Sequence, residues 1–226
     1  MTERAAGPRT IAIVGGAGKV ARRLLPLLLA DDCTVVPLVR RPEQASELEA
    51  LGAEPRLLDI ERAGVVDYLP VLDGVDAVVF AAGGGPDGNV ERKRTVDLGG
   101  TLATLAACAE LGIRRYVQVS AIGVDQPPSA DSSPVWQAYV AAKKVSDLAV
   151  RRSELDWTIL RPAALLDDEP TGHVQLGVDL EPAPISRGDV AAVIAAVLPQ
   201  PATLRRQWDV VGGVLPVLEA VARAAS

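Results

Sequence analysis

The sequence predicts an α/β domain of doubly wound type, a mostly parallel sheet of about seven strands flanked by helices. Three observations predict it. Short, near-continuous apolar runs such as DAVVF and RYVQV recur along the chain, as expected of strands covered on both faces. Helix-like segments separate them, which is the alternation of βαβ units. The first run also passes through a glycine-rich turn into an apolar helix, the arrangement that places ligands at the carboxyl edge of such sheets.

In order, the strands are expected at Thr10–Val14, Thr34–Val39, Arg56–Leu58, Ala77–Phe80, Tyr116–Val119, Thr158–Leu160 and Trp208–Val211. Between and after them, helices are expected at Lys19–Ala30, Pro42–Leu51, Ala63–Leu69, Asn89–Leu111, Val135–Ser153, Gly188–Leu198 and Leu215–Ala224. Pro26 removes one backbone donor inside the first helix, so a kink or irregular turn is expected there. Loops are expected at Gly83–Gly88, Asp125–Pro134 and Asp167–Ser186. All three follow strands on the ligand-binding side, and residues 163–186 are expected to shape a substrate pocket.

With 226 residues, 49% of them hydrophobic, the chain can bury the core of one domain, and residues 1–226 are taken as that domain with 1–8 as a tail. A net charge of -6 excludes the basic face that nucleic acid requires. Cys33 and Cys108 form no CxxC pair and read as buried, reduced thiols, and a single histidine argues against a His-rich metal site. No secretory signal and no apolar run of membrane length is found, so the expected setting is cytoplasmic, away from membranes. A small-molecule substrate is the expected partner, and homo-oligomerisation is left open.

The turn VGGAGKVA reads GxxGxxA. Gly15 permits a tight turn, Gly16, Ala17 and Gly18 keep the loop slim enough for a pyrophosphate to approach, and Ala21 lets helix and strand pack closely. Lys19 and Val20 then open a helix whose N-terminus favours the phosphate charge. The second strand ends in Arg40 and Arg41, where an NAD-binding fold places a carboxylate. A guanidinium suits a 2′-phosphate, so NADP(H) is preferred, with NAD(H) admitted and Lys19 offered as a further cation. Asp59, next to Ile60, either accepts from the adenine amino group or caps a turn. Ala81, Ala82 and Gly83 carry no bulky side chain and would let the chain lie flat against a cofactor.

Tyr139 and Lys143 are four residues apart on an expected helix and share one face. A lysine beside a phenol favours the phenolate, so Tyr139 can exchange a proton with a carbonyl or alcohol. Ser120 closes the fifth strand and would hold the substrate oxygen. With three tyrosines and four lysines, a chance YxxxK match has a frequency of roughly 5%. Trp136 reads as core, His173 as a solvated loop residue, and the ERKR run at 91–94 as an exposed helix start.

Taken together, GGAGKVA, VRR, LLDIE, YVQVSAIG, YVAAKK and WTILRPAAL resemble the atypical short-chain dehydrogenase/reductase family over about residues 10 to 220. DWTILRP and ISRGDVA resemble the small NAD(P)H-binding subgroup with NmrA-like and biliverdin-reductase-B-like members. The resemblance implies a Rossmann core, a nicotinamide cofactor, Ser120, Tyr139 and Lys143 as the catalytic triad, and Pro162 and Ala163 beside the nicotinamide. Ala21 as the third small residue and Gly16–Ala17 in the loop depart from the commoner pattern. The implied activity is an NADP(H)-dependent oxidoreductase acting on a small carbonyl or alcohol. The alternatives are a cofactor sensor without turnover and a nucleotide-sugar epimerase or dehydratase.

Overall fold

The computed structural model describes residues 7–85 and 88–226. Strand β1 (Thr10–Val14) leads into α1 (Lys19–Ala30), followed by β2 (Thr34–Val39), α2 (Pro42–Glu49), the two-residue β3 (Arg56–Leu57), α3 (Val65–Leu72) and β4 (Ala77–Phe80). A helical stretch then opens as α4 (Val90–Arg92), loosens into a π-helix over Lys93–Gly99 and tightens again as α5 (Gly100–Leu111). Next come β5 (Arg115–Val119), α6 (Pro134–Arg152), β6 (Asp156–Pro162), β7 (Leu165–Leu166), β8 (His173–Gly177) and β9 (Ile185–Ser186). The chain ends with α7 (Arg187–Val197), a 3₁₀ turn (Pro201–Thr203), β10 (Arg206–Gly212), β11 (Leu215–Pro216) and α8 (Val217–Ala225).

One nine-stranded sheet runs in the order β11-β8-β10-β6-β5-β4-β1-β2-β3. The seven strands expected from sequence are its parallel core, from β3 across to β10. Two further strands, β8 and β11, extend it antiparallel beyond β10, and β7 pairs with β9 in a small separate sheet. The predicted loop Asp167–Ser186 therefore holds two strands. In β8 only Val174 is fully buried, and turn-forming Gly and Pro flank the segment, so its pairing comes from contact with β10 and not from a strong local pattern.

Four other expectations are corrected. Leu215 and Pro216 form β11 where a helix was expected, because Leu215 pairs with Val174. The expected helix at Ala63–Leu69 starts at Val65 and continues to Leu72 through Pro70. Asn89 caps α4 from outside, its side chain accepting from the amides of Glu91 and Arg92. At the N-terminus, the tail expected over residues 1–8 retains Gly7 and Pro8 as half-buried residues, Gly7 lying close against Pro199. Pro86 and Asp87, in the predicted Gly83–Gly88 loop, lie outside the described residues. Helix α1 runs through Pro26, which faces out, where water can serve the carbonyl that loses its donor.

The core lies on both faces of the sheet. One apolar cluster packs α1, α7 and α8 against residues such as Ile11, Val79 and Leu160, and the other packs α3 and α5 against residues such as Val14, Phe80 and Tyr116. Each fully buried Val, Ile or Phe contributes about 1.5–3 kcal/mol of transfer free energy, which is why AVVF, buried at all four positions, holds the centre of the sheet. Strand order reverses between β1 and β4, and that switch point opens a crevice at the carboxyl ends of both strands. Cys108 is buried and Cys33 only half-buried; both are free. Among the described residues, no helix is long and apolar enough to cross a membrane.

Candidate active site

At the crevice, Gly15 adopts φ +85°, a conformation that side chains disfavour, and an added Cβ would lie 2.7 Å from the Cα of Ala82 at the end of β4. The loop closes when the Gly18 amide donates to the Gly15 carbonyl at 2.9 Å. Gly16 is pinned by donation to the Leu38 carbonyl, and a Cβ there would meet Pro37 at 2.3 Å. Helix α1 starts at Gly18 with no side-chain cap and no acidic residue in its first turn, so its first amides remain open to an anion.

A cavity of about 320 Å³ lies in front of this loop, bounded by Gly15, Ala17, Gly18, Arg40, Asp59 and Ile60, with Ala81, Ala82 and Gly83 on the β4 side. That volume lies at the low end of the ~300–1,000 Å³ typical of ligand pockets. Glu61 also lines it, its carboxylate 3.3 Å from Arg92 Nε and 3.9 Å from Arg40 Nη1. Asp59 caps the turn, its Oδ1 accepting from the Glu61 amide at 3.2 Å, and it also lines the cavity.

The other cations expected here are placed differently. Arg41 is exposed at the start of α2 and does not line the cavity. Lys19 points to the substrate-side loop, where Asp167 accepts from it at 2.5 Å, and Arg23 and Arg187 converge on the same carboxylate. The Lys19 hydrogen bond holds the Asp167 carboxyl below the usual range. Val20 is buried in the core behind the loop. Pro162 ends β6, its carbonyl accepting from the Ile122 amide, and Ala163 donates to Val210; both stand at the carboxyl edge outside this cavity.

At the Tyr139 end, α6 carries Tyr139, Lys143 and Asp147 at successive intervals of four, one face directed at the sheet. Lys143 is 3% exposed; its Nζ donates to the Val119 carbonyl at 3.1 Å and lies 3.3 Å from Asp97 Oδ1. Two ammonium groups lie near the Tyr139 ring, Lys143 Nζ 6.0 Å and Lys93 Nζ 5.8 Å from its centroid. Trp136 packs on the same phenol, ring centroids 5.4 Å apart, and is half exposed. Ser120 Oγ donates to Asp147 Oδ2 at 2.9 Å, and Arg161 Nε donates to the same oxygen at 2.9 Å while its Nη1 reaches Asp125 at 2.7 Å.

These neighbours set the ionisation of the phenol. Burial pushes Tyr139 above the ordinary tyrosine range; Lys143 pulls it down, and Asp97 and Asp147 push it up again. The expected lowering is therefore present but outweighed, chiefly by burial, with Asp97 and Asp147 adding to the rise. Burial also works against a charged Lys143, yet Asp97 and Tyr139 more than compensate and hold the ammonium above its usual range. Burial raises the Asp147 carboxyl against the pull of Arg161.

The structure thus gathers Gly15, Gly18, Arg40, Asp59, Ile60 and Ala81–Gly83 around one cavity and sets Tyr139 against Lys143. Two readings are corrected. Trp136 is not core, and the ERKR run is an exposed helix start only at Glu91 and Arg94, since Arg92 lines the cavity and Lys93 is 5% exposed. His173 is exposed, at the start of β8. Sequence reading also missed Glu61, Asp97, Asp147 and Arg161. A signal for Asp147 was present in the YxxxKxxxD spacing, which puts all three side chains on one helix face.

Comparison with known proteins agrees with this geometry. Residues 15–201 match a family described as NAD(P)H-binding. The UPF0659 protein YMR090W of Saccharomyces cerevisiae is 37% identical over 219 residues, covering 93% of this chain and 96% of that protein. YhfK of Bacillus subtilis, named an uncharacterized sugar epimerase, is 33% identical over 210 residues, covering 92% of this chain and 97% of that one. A Bacillus halodurans structure, provisionally named an NAD-dependent epimerase/dehydratase, superposes with a TM-score of 0.88 at 33% identity, covering 95% of this chain and 99% of that one.

Proposed function

The chain belongs to the NAD(P)H-binding family, and from that premise we propose that it is an NADP(H)-dependent oxidoreductase acting on a small carbonyl or alcohol substrate. The observation that carries this reading is the pairing of two features at one sheet edge: a cavity joining the glycine loop to Arg40, and a phenol packed beside a buried lysine. The residues fit the cofactor. Gly15 and Gly18 leave room that a Cβ would fill, the start of α1 offers free amides to a pyrophosphate, and Arg40 and Arg92 stand where a 2′-phosphate would be recognised. Glu61 must give up part of its hold on these arginines for that phosphate to enter.

A bound nicotinamide would supply the hydride to the carbonyl carbon of the substrate, or accept it in the reverse direction. Tyr139 gives its phenolic proton to the carbonyl oxygen as the alcohol forms, and takes it back in the reverse direction. Lys143 stabilises the phenolate left behind, with Asp97 fixing the ammonium in place. Ser120 directs its hydroxyl hydrogen bond to Asp147 and so offers lone pairs to the site, an arrangement suited to receiving a substrate hydroxyl. Binding a carbonyl oxygen requires that proton to swing away from Asp147.

A second reading follows from the names of the relatives. An epimerase or dehydratase would use the same Tyr139 chemistry, with the hydride returned to the substrate and no net cofactor turnover. The deciding experiment is a titration with NADPH, NADH, NADP and NAD, followed by a carbonyl and quinone panel read at the NADPH absorbance. Tight NADPH binding with net oxidation supports the proposal. Binding without oxidation by any acceptor favours the epimerase or sensor readings, and no dinucleotide binding overturns all three.

A further inference from the structure

The buried charges around Tyr139 do not balance. Lys143 is matched by Asp97 and Arg161 by Asp147, all four at most 5% exposed. Lys93 is as deeply buried, yet no described carboxylate forms an ion pair with it. Its Nζ donates to the Gly85 carbonyl and otherwise faces the Tyr139 ring. An ammonium carries three donors and is strongly hydrated in water. Burying one without a counter-ion is costly.

Its setting is also unusual. Lys93 opens the π-helical stretch Lys93–Gly99, a rare geometry that recurs at functional sites. Trp136, half exposed on the first turn of α6, packs on the same phenol. Three groups thus stand together: a half-exposed aromatic ring, a phenol packed against it, and an ammonium beside that phenol with no carboxylate partner among the described residues.

Resting on the oxidoreductase reading, we infer that Lys93 is the anchor for an oxyanionic group of the substrate, so that the substrate class is a carbonyl or hydroxyl compound bearing a carboxylate or a phosphate ester. Lys93 supplies the counter-charge, Tyr139 serves the reacting oxygen, and the Trp136 face receives the apolar body. The ammonium is left with donors free after Gly85, enough for such a group. Arg40, which lines the cavity at the glycine loop, is the cation for the cofactor and takes no part in this anchor.

The test uses three probes of similar size, benzoate, phenyl phosphate and neutral benzyl alcohol, titrated calorimetrically into the wild-type chain with and without NADP. The expected result is that an anionic probe binds roughly tenfold or more tightly than benzyl alcohol, that NADP does not displace it, and that Lys93→Met abolishes the preference whereas Lys93→Arg retains it. Tighter binding of benzoate marks a carboxylate substrate; tighter binding of phenyl phosphate marks a phosphate ester. Equal binding of charged and neutral probes by the wild type, displacement of the anion by NADP, or an unchanged preference in Lys93→Met overturns the inference. The wild-type arms decide it even where Lys93→Met fails to fold. Because the dinucleotide titration is read separately and the probes are also run without cofactor, failure of the oxidoreductase reading and failure of the Lys93 anchor give different results.

Discussion

The two ends of the site are built from ions in opposite surroundings. Around the glycine loop, Lys19, Arg40, Glu61 and Asp167 are from one-third to two-thirds exposed, and their pairs range from 2.5 to 3.9 Å. Around Tyr139, the side chains of Lys143, Asp97, Arg161 and Asp147 are at most 6% exposed. Exposed pairs are weak, screened by salt and easily exchanged for a phosphate. Buried pairs are rigid and expensive to break. On the proposed function, the first end is an adaptable docking surface and the second a preorganised reaction centre, whose integrity is tied to the fold.

The sharpest way to break this contrast is to remove one buried partner. Asp147→Ala leaves Arg161 with only the half-exposed Asp125 and frees the Ser120 hydroxyl, and should cost about 3–5 kcal/mol of stability, read by denaturant unfolding. A loss near zero would mean that the interior is wetter than its burial indicates. Tyr139→Phe should reduce turnover by roughly 10²–10⁴-fold while leaving NADPH affinity unchanged, and undiminished turnover would remove Tyr139 from the mechanism. At the exposed end, Arg40→Ala should weaken NADPH binding by roughly tenfold and NADH binding hardly at all. An equal effect on both cofactors would reassign Arg40 away from the 2′-phosphate.

The same contrast explains what could be read from the sequence. The parallel strands other than the short, unburied β3 were legible because burial on both faces demands apolar runs such as TIAIV and AVVF, and the glycine loop because the tight turn at Gly15 leaves no room for a side chain. Strands β8 and β11 were not, since β8 is buried at only one of its five positions and each is held by pairing with a distant segment. At the site, Tyr139 and Lys143 stood out by their spacing. Lys93, Asp97 and Arg161 did not, because a charged residue in a helix or strand pattern reads as solvated unless its partner, here tens of residues away, is known. The cations of the exposed end were found by type but not by direction: Lys19 and Arg41 have the right charge, yet one reaches Asp167 and the other points to solvent.

The subtlest test asks whether the two carboxylates near the phenol set its proton affinity as the geometry indicates. A raised Tyr139 keeps its proton to higher pH, so reduction, which needs the phenol protonated, should hold its rate through neutral pH and fall only on the alkaline side; oxidation, which needs the phenolate, should rise over that same interval. Asp97→Asn removes a charge that pushes Tyr139 up and leaves Lys143, which pulls it down, without its counter-ion. Both limbs should therefore move to lower pH, with Tyr139→Phe abolishing the limb altogether. If the limb stays in place in Asp97→Asn, the Lys143–Asp97 pair is structural support for α6, and the ionisation of Tyr139 is governed by burial alone.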